Sequence, residues 1–179
     1  MLPLDRLGKR IVIVGPSNAG KSTLAVALSY RLGIPAVHLD QLHHLPNTDW
    51  EKRPRAEFVA LHDVAVAADT WIMDGNYSGL MPQRLARATG AILITSGHWR
   101  RFFRYVRRTV VNRSNRAGHL EGAKDSLKWE MAQWILRKTR HSADRYAELL
   151  NDYDLPVVKC HTAAELNALY RYWGLPSHH

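Results

Sequence analysis

The segment Gly15-Pro16-Ser17-Asn18-Ala19-Gly20-Lys21-Ser22 matches the pattern G-x-x-x-x-G-K-[ST] at every fixed position. An apolar run at residues 11–14 precedes it, and a helical pattern of apolar residues at 23–32 follows it. This succession of strand, loop and helix is the context that the pattern requires in order to bind phosphate. A glycine-rich turn arising by chance would need to reproduce both the pattern and its context. The segment therefore predicts a loop that binds the phosphates of a nucleotide.

The residue types in this segment suit a polyphosphate. Two glycines let the backbone curl, so that consecutive N–H groups face one anion at the positive end of the following helix. Lys21 is placed to reach the β- and γ-phosphates, and the hydroxyl of Ser22 suits the Mg²⁺ that bridges them, because Mg²⁺ prefers oxygen ligands. The predicted nucleotide-binding residues are Gly15, Ser17, Asn18, Ala19, Gly20, Lys21, Ser22 and Thr23.

Length and composition indicate a globular protein. With 179 residues, of which 46% are hydrophobic, we expect a single domain over residues 1–179. The longest apolar stretches are too short to cross a bilayer, and the first residues lack the apolar core of a secretory signal. These features predict a soluble, cytoplasmic protein. Cys160 lies in an apolar run, which favours a buried, reduced thiol over a nucleophile or a metal ligand.

The positive charge of the chain is concentrated in one segment. The net charge is +9, and residues 100–145 hold 13 of the 25 Lys and Arg but only 4 of the 16 Asp and Glu. Such a segment is typical of a surface that faces an anion, either a nucleotide triphosphate or a nucleic acid backbone. A helical face exposed only to solvent would normally carry acidic residues between the basic ones.

Strand patterns and helix patterns alternate along the chain. The first strand is apolar at consecutive positions, as is typical of a parallel strand covered on both faces. We therefore predict an α/β fold with a doubly wound, parallel, five-stranded sheet in the order 2-3-1-4-5 and a helical lid. The predicted strands are residues 10–14, 35–39, 70–74, 90–95 and 156–160. Residues expected to face the core are Leu24, Leu28 and Leu32 in the first helix, and Phe58, Leu61 and Ala65 in the helix over 54–68.

Two carboxylates follow predicted strands. Ligands of open parallel sheets bind beyond the carboxyl ends of the strands, so Asp40 and Asp74 are expected near the phosphate-binding loop. Asp40 is a candidate to orient or deprotonate an acceptor hydroxyl, and its alternative role is a turn or helix cap. Asp74 is a candidate to hold Mg²⁺ together with Ser22. A metal site built from His38, Asp40, His43 and His44 is a weaker alternative, because no cysteine or second acid lies at ligand spacing.

Several short runs accompany the loop. They are His38-Leu-Asp40, Trp50 with Pro54 and Phe58, Trp71-Ile-Met-Asp-Gly-Asn-Tyr77, the basic run 99–108, Trp129-Glu130 and Trp134-Ile135. With them the chain resembles, over nearly its whole length, the bacterial DNA topology modulation proteins. Those are P-loop proteins related to adenylate and shikimate kinases. The loop is common to the superfamily, whereas the run ending in Tyr77 and the Trp-rich helix are more specific to that family.

The resemblance implies roles for further residues. By similarity to adenylate kinases, Asp74 would lie near Mg²⁺, and Arg104 and Arg108 would contact ATP and the transferring phosphoryl group. The lid would be a basic segment at about residues 98–140, with residues 113–125 as its flap. By similarity to shikimate kinases, Asp40 would face the acceptor. One departure is the run Thr95-Ser-Gly-His98, where relatives carry an acid and a proline.

Three functions remain open from the sequence. The favoured hypothesis is an ATP-dependent phosphotransferase that uses Mg²⁺ and acts on a small molecule, for which a nucleotide is one candidate; Lys21, Asp40, Arg104 and Arg108 would be its catalytic residues. A nucleic-acid-binding ATPase is the second hypothesis, and steep salt dependence of binding would identify it. A nucleotide-binding protein without catalysis is the third, since the departure at 95–98 removes an acid at a strand end.

Overall fold

A computed structural model of the chain describes residues 1–95 and 142–176. The proposed lid and flap, Arg104, Arg108 and most of the basic segment lie outside these residues. Within the described part, no helix combines the length and the apolar character needed to cross a bilayer.

A parallel sheet of five strands forms the centre of the described structure. Its strands are β1 (Arg10–Val14), β2 (Ala36–His38), β3 (Trp71–Asp74), β4 (Gly90–Ile94) and β5 (Val157–Cys160), in the order β2-β3-β1-β4-β5. This confirms the predicted topology. The register places His38 beside Asp74, and Asp74 beside Ile13. Consequently the ends of three neighbouring strands meet at one edge of the sheet.

Helices cover both faces of the sheet. They are α1 (Lys21–Leu32), α2 (Leu39–His43), α3 (Arg55–Ala67), α4 (Met81–Arg87), α5 (Ser142–Asn151) and α6 (Ala163–Tyr172), with short 3₁₀ turns at Leu4–Leu7 and Ser78–Leu80. Successive side chains of β1 point to opposite faces. Ile11 and Ile13 join the cluster that contains residues of α1 and α6, whereas Val12 and Val14 join the cluster beneath α3, α4 and α5. Both faces of β1 are therefore buried, as its continuous apolar sequence predicts.

Helix α1 packs along one side of its cylinder. Leu24 and Leu28 are fully buried as predicted, but Leu32 is only half-buried. Gly33 ends the helix in a left-handed conformation, and its N–H donates to the carbonyl of Ser29 at 2.9 Å. Leu32, in the last turn before this cap, packs against the edge of the core cluster.

The buried stripe of α3 differs from the predicted one. Phe58, His62 and Val66 are buried at intervals of four residues, whereas Leu61 is 39% exposed and Ala65 is half-buried. The apolar pattern predicts Leu61 in the core because its neighbour His62 is not counted as a core residue in such a pattern. His62 is completely buried.

The second strand is shorter than predicted. β2 ends at His38, and helix α2 starts at Leu39, so the prediction of a strand over 35–39 is wrong at its carboxyl end. Asp40 accordingly lies in the first turn of α2 rather than at a strand terminus. The predicted loop over 45–53 forms a narrow antiparallel turn, in which the N–H of Leu45 donates to Glu51 and that of Arg53 to His43, each at 2.8 Å.

Candidate active site

The segment 15–20 connects β1 to α1 along a tightly curved path. Gly15 has a φ of 143°, and Gly20, which precedes the helix, has a φ of 102°. A Cβ atom built on Gly15 would lie only 2.1 Å from the carbonyl oxygen of Ile94 at the end of β4. Any larger residue would displace the loop from the sheet, so the first glycine of the motif is required sterically here.

The first turn of α1 is suited to an anion. It contains Lys21 and no acidic residue of its own, so the charge within this turn is positive. The Nζ of Lys21 donates to the carbonyl oxygen of Pro16 at 3.0 Å, which holds the ammonium group over the loop. Backbone curvature, the helix terminus and this ammonium group therefore converge on one volume.

Ser22 and Asp74 are brought together at the edge of the sheet. The hydroxyl of Ser22 donates to Oδ2 of Asp74 at 2.6 Å, and Oδ1 of the same carboxylate contacts Nδ1 of His38. Asp74 is buried, and each of its two carboxylate oxygens contacts a neighbouring side chain, one on α1 and one on β2. The sequence predicted the pair of Ser22 and Asp74 but not the contact with His38, because that contact depends on the register between β2 and β3, which places His38 beside Asp74.

The oxygen atoms of this pair fit a magnesium ion. Mg²⁺ usually takes one or two carboxylates or hydroxyls from the protein and completes its shell with phosphate oxygens and water. The alternative cluster of histidines is not formed: His38 contacts Asp74, whereas His43 lies among aromatic rings. Within residues 1–95 and 142–176, no group of three or more His, Cys, Asp or Glu side chains is arranged to hold a metal.

The turn after β3 connects the phosphate-binding loop to α2. Oδ1 of Asn76 accepts a hydrogen bond from the N–H of Gly15 at 3.3 Å. The hydroxyl of Tyr77 donates to Oδ1 of Asp40 at 2.6 Å, which keeps Asp40 at this edge of the sheet although it belongs to a helix. Burial, followed by the nearby charge of Asp40, raises the pKa of Tyr77, so its hydroxyl remains a donor. Neither Asn76 nor Tyr77 belongs to a sequence motif that would predict these contacts.

Arg84 of α4 is completely buried beneath this turn. Its Nη1 donates to the carbonyl of Gly75 at 2.9 Å, and its Nη2 donates to the carbonyls of Asn76 and, at 3.3 Å, Tyr77. Burial lowers the pKa of Arg84 to about 10, which leaves the guanidinium charged at neutral pH. No sequence pattern indicates this role, because Arg84 and Arg87 occur in the same short helix and only their burial distinguishes them.

Three rings pack beside Asp40. The ring centroids of His43 and Phe58 are 4.8 Å apart, those of His43 and Tyr77 are 4.9 Å apart, and those of Phe58 and Tyr77 are 5.1 Å apart. Burial, then the charges of His44 and Lys52, lowers the pKa of His43 and favours its neutral form. The rings give this side of the edge an apolar wall, in contrast to the polar loop.

Solved structures share this fold at low sequence identity. A gluconokinase from Sinorhizobium meliloti 1021 superposes with a TM-score of 0.56 at 15% identity, covering 94% of this chain and 90% of its own. The shikimate kinase from Acinetobacter baumannii, solved in complex with shikimate, gives 0.56 at 14% identity, with 95% and 96% covered. The shikimate kinase from Bacteroides thetaiotaomicron gives 0.51 at 18%, with 93% and 99% covered.

Sequence comparison adds no closer relationship. No protein-family model matches the chain, and no curated protein matches it in sequence. The resemblance to DNA topology modulation proteins therefore has no support beyond the residues quoted above. At these identities a structural likeness establishes the fold and not the reaction. The described chain has the fold of the P-loop kinases, with a five-stranded parallel sheet in the order 2-3-1-4-5 and helices on both faces.

Proposed function

We propose that this protein is a Mg²⁺-dependent phosphotransferase that moves the γ-phosphoryl group of ATP to a small-molecule acceptor. The observation that carries the proposal is the 2.6 Å contact between Ser22 and Asp74 beside a phosphate-binding loop with the sequence G-x-x-x-x-G-K-S. A hydroxyl and a carboxylate at this position suit Mg²⁺ bound to the nucleotide phosphates. The kinase fold supports the same reaction class, and the names gluconokinase and shikimate kinase point to small-molecule acceptors.

In this reaction the oxygen of the acceptor hydroxyl attacks the γ-phosphorus of ATP. The bond between the γ-phosphorus and the β,γ-bridging oxygen breaks, and ADP leaves. Such a transfer depends on alignment and on positive charge near the phosphoryl oxygens. Lys21 and the backbone amides of residues 17–23 hold the triphosphate, with Ser17, Asn18, Ala19 and Thr23 contributing from the loop and the first helical turn, while Asn76 holds the N–H of Gly15. Mg²⁺, when bound by Ser22 and Asp74, neutralises part of the phosphate charge.

The acceptor is proposed to bind on the side of Asp40. Asp40 lies at the carboxyl edge of the sheet, where Tyr77 fixes one of its carboxylate oxygens. The other oxygen is left to orient the acceptor hydroxyl and to receive its proton. The rings of His43, Phe58 and Tyr77 form the neighbouring wall, so an acceptor with both a hydroxyl and an apolar surface suits this side.

The basic segment is proposed to supply positive charge near the transferring phosphoryl group. Arg104 and Arg108, outside the described residues, are proposed to approach the transferring phosphoryl group. The lid at about residues 98–140 would then exclude water, which would otherwise compete with the acceptor. The similarity to adenylate kinases and to DNA topology modulation proteins is consistent with this arrangement of a basic lid and a phosphate-binding loop.

Two substitutions separate nucleotide binding from transfer. Lys21→Ala is expected to weaken Mg·ATP binding and to lower turnover about 100-fold, because the ammonium group that faces the phosphates is lost. Asp40→Asn is expected to keep Mg·ATP affinity within about twofold of the wild type. Its turnover is expected to fall about 100-fold, as in Lys21→Ala. Calorimetric titration with Mg·ATP measures binding, and ADP formation against a panel of hydroxylated metabolites and nucleotides measures transfer.

Lys9→Ala is the matched control, because Lys9 is exposed and precedes β1 at the opposite edge of the sheet. Equal effects of Lys9→Ala and Lys21→Ala, or no Mg·ATP binding by the wild-type chain, would contradict the proposal. Binding of duplex DNA that weakens steeply between about 50 and 200 mM salt, without any active acceptor, would favour the nucleic-acid-binding ATPase instead.

A further inference from the structure

One buried guanidinium group contacts three consecutive backbone carbonyls. Arg84 donates to Gly75, Asn76 and Tyr77, which form the turn between β3 and the 3₁₀ turn at Ser78–Leu80. This turn is unusual in its backbone, since Gly75 has a φ of 126° and Tyr77 has a φ of 36°. A non-glycine residue in a left-handed conformation is disfavoured and persists only where surrounding contacts impose it. Arg84 supplies such contacts to every residue of the turn.

The two side chains of the turn reach opposite parts of the site. Asn76 accepts from the N–H of Gly15 in the phosphate-binding loop, whereas Tyr77 donates to Asp40 on α2. Both contacts depend on the path of the backbone that Arg84 holds. A shift of this backbone would therefore move the loop contact and the Asp40 contact together.

We propose that Arg84 is a positioning residue that sets the distance between the phosphate-binding loop and Asp40 by fixing the turn at residues 75–77. The proposal rests on the proposed function and adds a residue that touches neither nucleotide nor acceptor. Arg84 would act through its hydrogen bonds to the carbonyls of the turn, which fix the positions of the Asn76 and Tyr77 side chains.

The chemistry of arginine explains why a charged group occupies this buried position. Removing a guanidinium from water is costly, and a buried apolar side chain of similar size would often be at least as stable. Its planar arrangement of five donors can serve several carbonyls at fixed angles, which neither an apolar side chain nor the single ammonium of lysine can do. The geometry that Arg84 imposes is thus its distinctive contribution.

The test uses the full-length protein and Mg·ATP as the probe. Arg84→Lys keeps the charge but loses the fork of donors, and it is expected to weaken Mg·ATP binding about tenfold in calorimetric titration. Arg84→Met is expected to do the same. Arg87→Met is the control, because Arg87 lies in the same helix, is exposed and contacts the carbonyl of Ala67 at 3.1 Å. It is expected to bind Mg·ATP like the wild type.

A double-mutant cycle distinguishes positioning from general support of the fold. Asn76→Ala alone is expected to weaken Mg·ATP binding about tenfold, within the range for the loss of one hydrogen bond. In the Asn76→Ala background, Arg84→Lys is expected to add less than twofold, because its effect on the loop passes through Asn76. Independent effects would multiply instead. Tyr77→Phe is expected to leave Mg·ATP affinity unchanged, since its hydroxyl faces Asp40.

The wild-type protein provides a readout that needs no stable Arg84 variant. With arginine labelled by ¹⁵N, saturating Mg·ATP is expected to shift the Nη–H resonances of Arg84, which lies two contacts from Gly15. Arg84 resonances that do not move, Asn76→Ala binding like the wild type, or multiplicative effects in the cycle would each overturn the proposal. A wild-type chain that fails to bind Mg·ATP would refute the proposed function instead, so the two failures are distinguishable.

Discussion

At the scale of single residues, Gly75 shows how closely the site is packed. Its φ of 126° belongs to a region that other residues avoid, and a Cβ added there would lie 2.9 Å from Cβ of Leu39. Leu39 is completely buried at the start of α2, so it has little freedom to move away. A side chain at position 75 would therefore strain the turn and push against the helix that carries Asp40.

Gly75→Ala is accordingly expected to destabilise the protein by about 1–3 kcal/mol, since it combines a disfavoured φ with a steric contact. For a chain of this size the loss corresponds to roughly 2–4 °C in Tm for each kcal/mol, measured by thermal unfolding.

Gly79→Ala provides the comparison for this measurement. Gly79 has no atom within 4 Å of an added Cβ, and its φ is not in the left-handed region. We expect its Tm to change by less than about 2 °C, because an exposed substitution of this kind has a small effect. Equal shifts in the two variants would mean that the turn at Gly75 tolerates a side chain.

Residues of the site differ in how far the sequence could predict them. Ser22 and Asp74 were predicted together, because the loop motif fixes one and the end of a neighbouring strand fixes the other. Asn76 and Tyr77 were not, since their contacts depend on a turn conformation that no local pattern specifies. Arg84 required knowledge of burial, which an isolated arginine in a short helix does not reveal.

At the scale of elements, α3 buries a histidine together with apolar residues. His62 is buried between Phe58 and Val66, and its burial lowers its pKa below the ordinary value of 6.5. The charge of Arg84 lowers it further, whereas Asp63 opposes the shift through a hydrogen bond and its charge. Folding therefore favours the neutral imidazole at this position.

Stability is expected to fall as the pH drops below about 6.5, where the unfolded chain binds a proton that the folded chain resists. The slope for one histidine is at most about 1.4 kcal/mol per pH unit, and it ends below the lowered pKa of the folded state. His62→Gln is expected to reduce this slope, with part of it retained by His43, whose pKa is also lowered. Urea unfolding at several pH values between 5 and 8 measures how the free energy of unfolding depends on pH in the wild type and in the variant.

The reference condition for this experiment is pH 8, where both histidines are neutral in the folded and the unfolded chain. There His62→Gln reports only the change in packing, which can be subtracted from the values at lower pH. An unchanged slope in His62→Gln would show that other groups cause the loss of stability in acid.

Element boundaries illustrate a second limit of the sequence. The alternation of strands and helices predicts the parallel sheet, and the expectation that Asp74 lies beside the phosphate-binding loop suits the observed strand order. The end of β2 was not predictable in the same way, because the apolar Leu39 fits a strand or a helix equally well. Only the packing of Leu39 against the turn after β3 decides between them.

At the scale of the whole molecule, the reactivity of the Cys160 thiol can be used to measure how often the sheet opens. It lies at the end of β5, is 2% exposed, and its pKa is raised to about 11 by burial and then by Glu165. The thiolate is the reactive form, so both burial and this shift suppress its reaction with disulfide reagents. Cys160 is the only cysteine in the sequence, so its modification gives a single signal.

We expect Ellman's reagent at pH 8 to react with Cys160 slowly in the folded protein and rapidly in denaturant. Mg·ATP at about 100 times its dissociation constant should slow the reaction in the folded protein roughly 100-fold, because ligand binding opposes global opening by about 2.7 kcal/mol. Lys21→Ala is expected to show no such slowing. A rate that Mg·ATP does not change would mean that β5 opens locally, without the rest of the sheet.

Every described residue proposed to take part in the chemistry comes from the stretch between Gly15 and Arg84, whereas β5 and α6 contribute residues to the core. β4 meets the phosphate-binding loop through a backbone carbonyl, an atom that every amino acid possesses. Substitutions in β4, β5 and α6 can therefore accumulate while the proposed reaction is preserved, as long as apolar volume is kept. The two halves of the sheet would then evolve at different rates, and divergence measured over the full length would understate the constancy of the catalytic half.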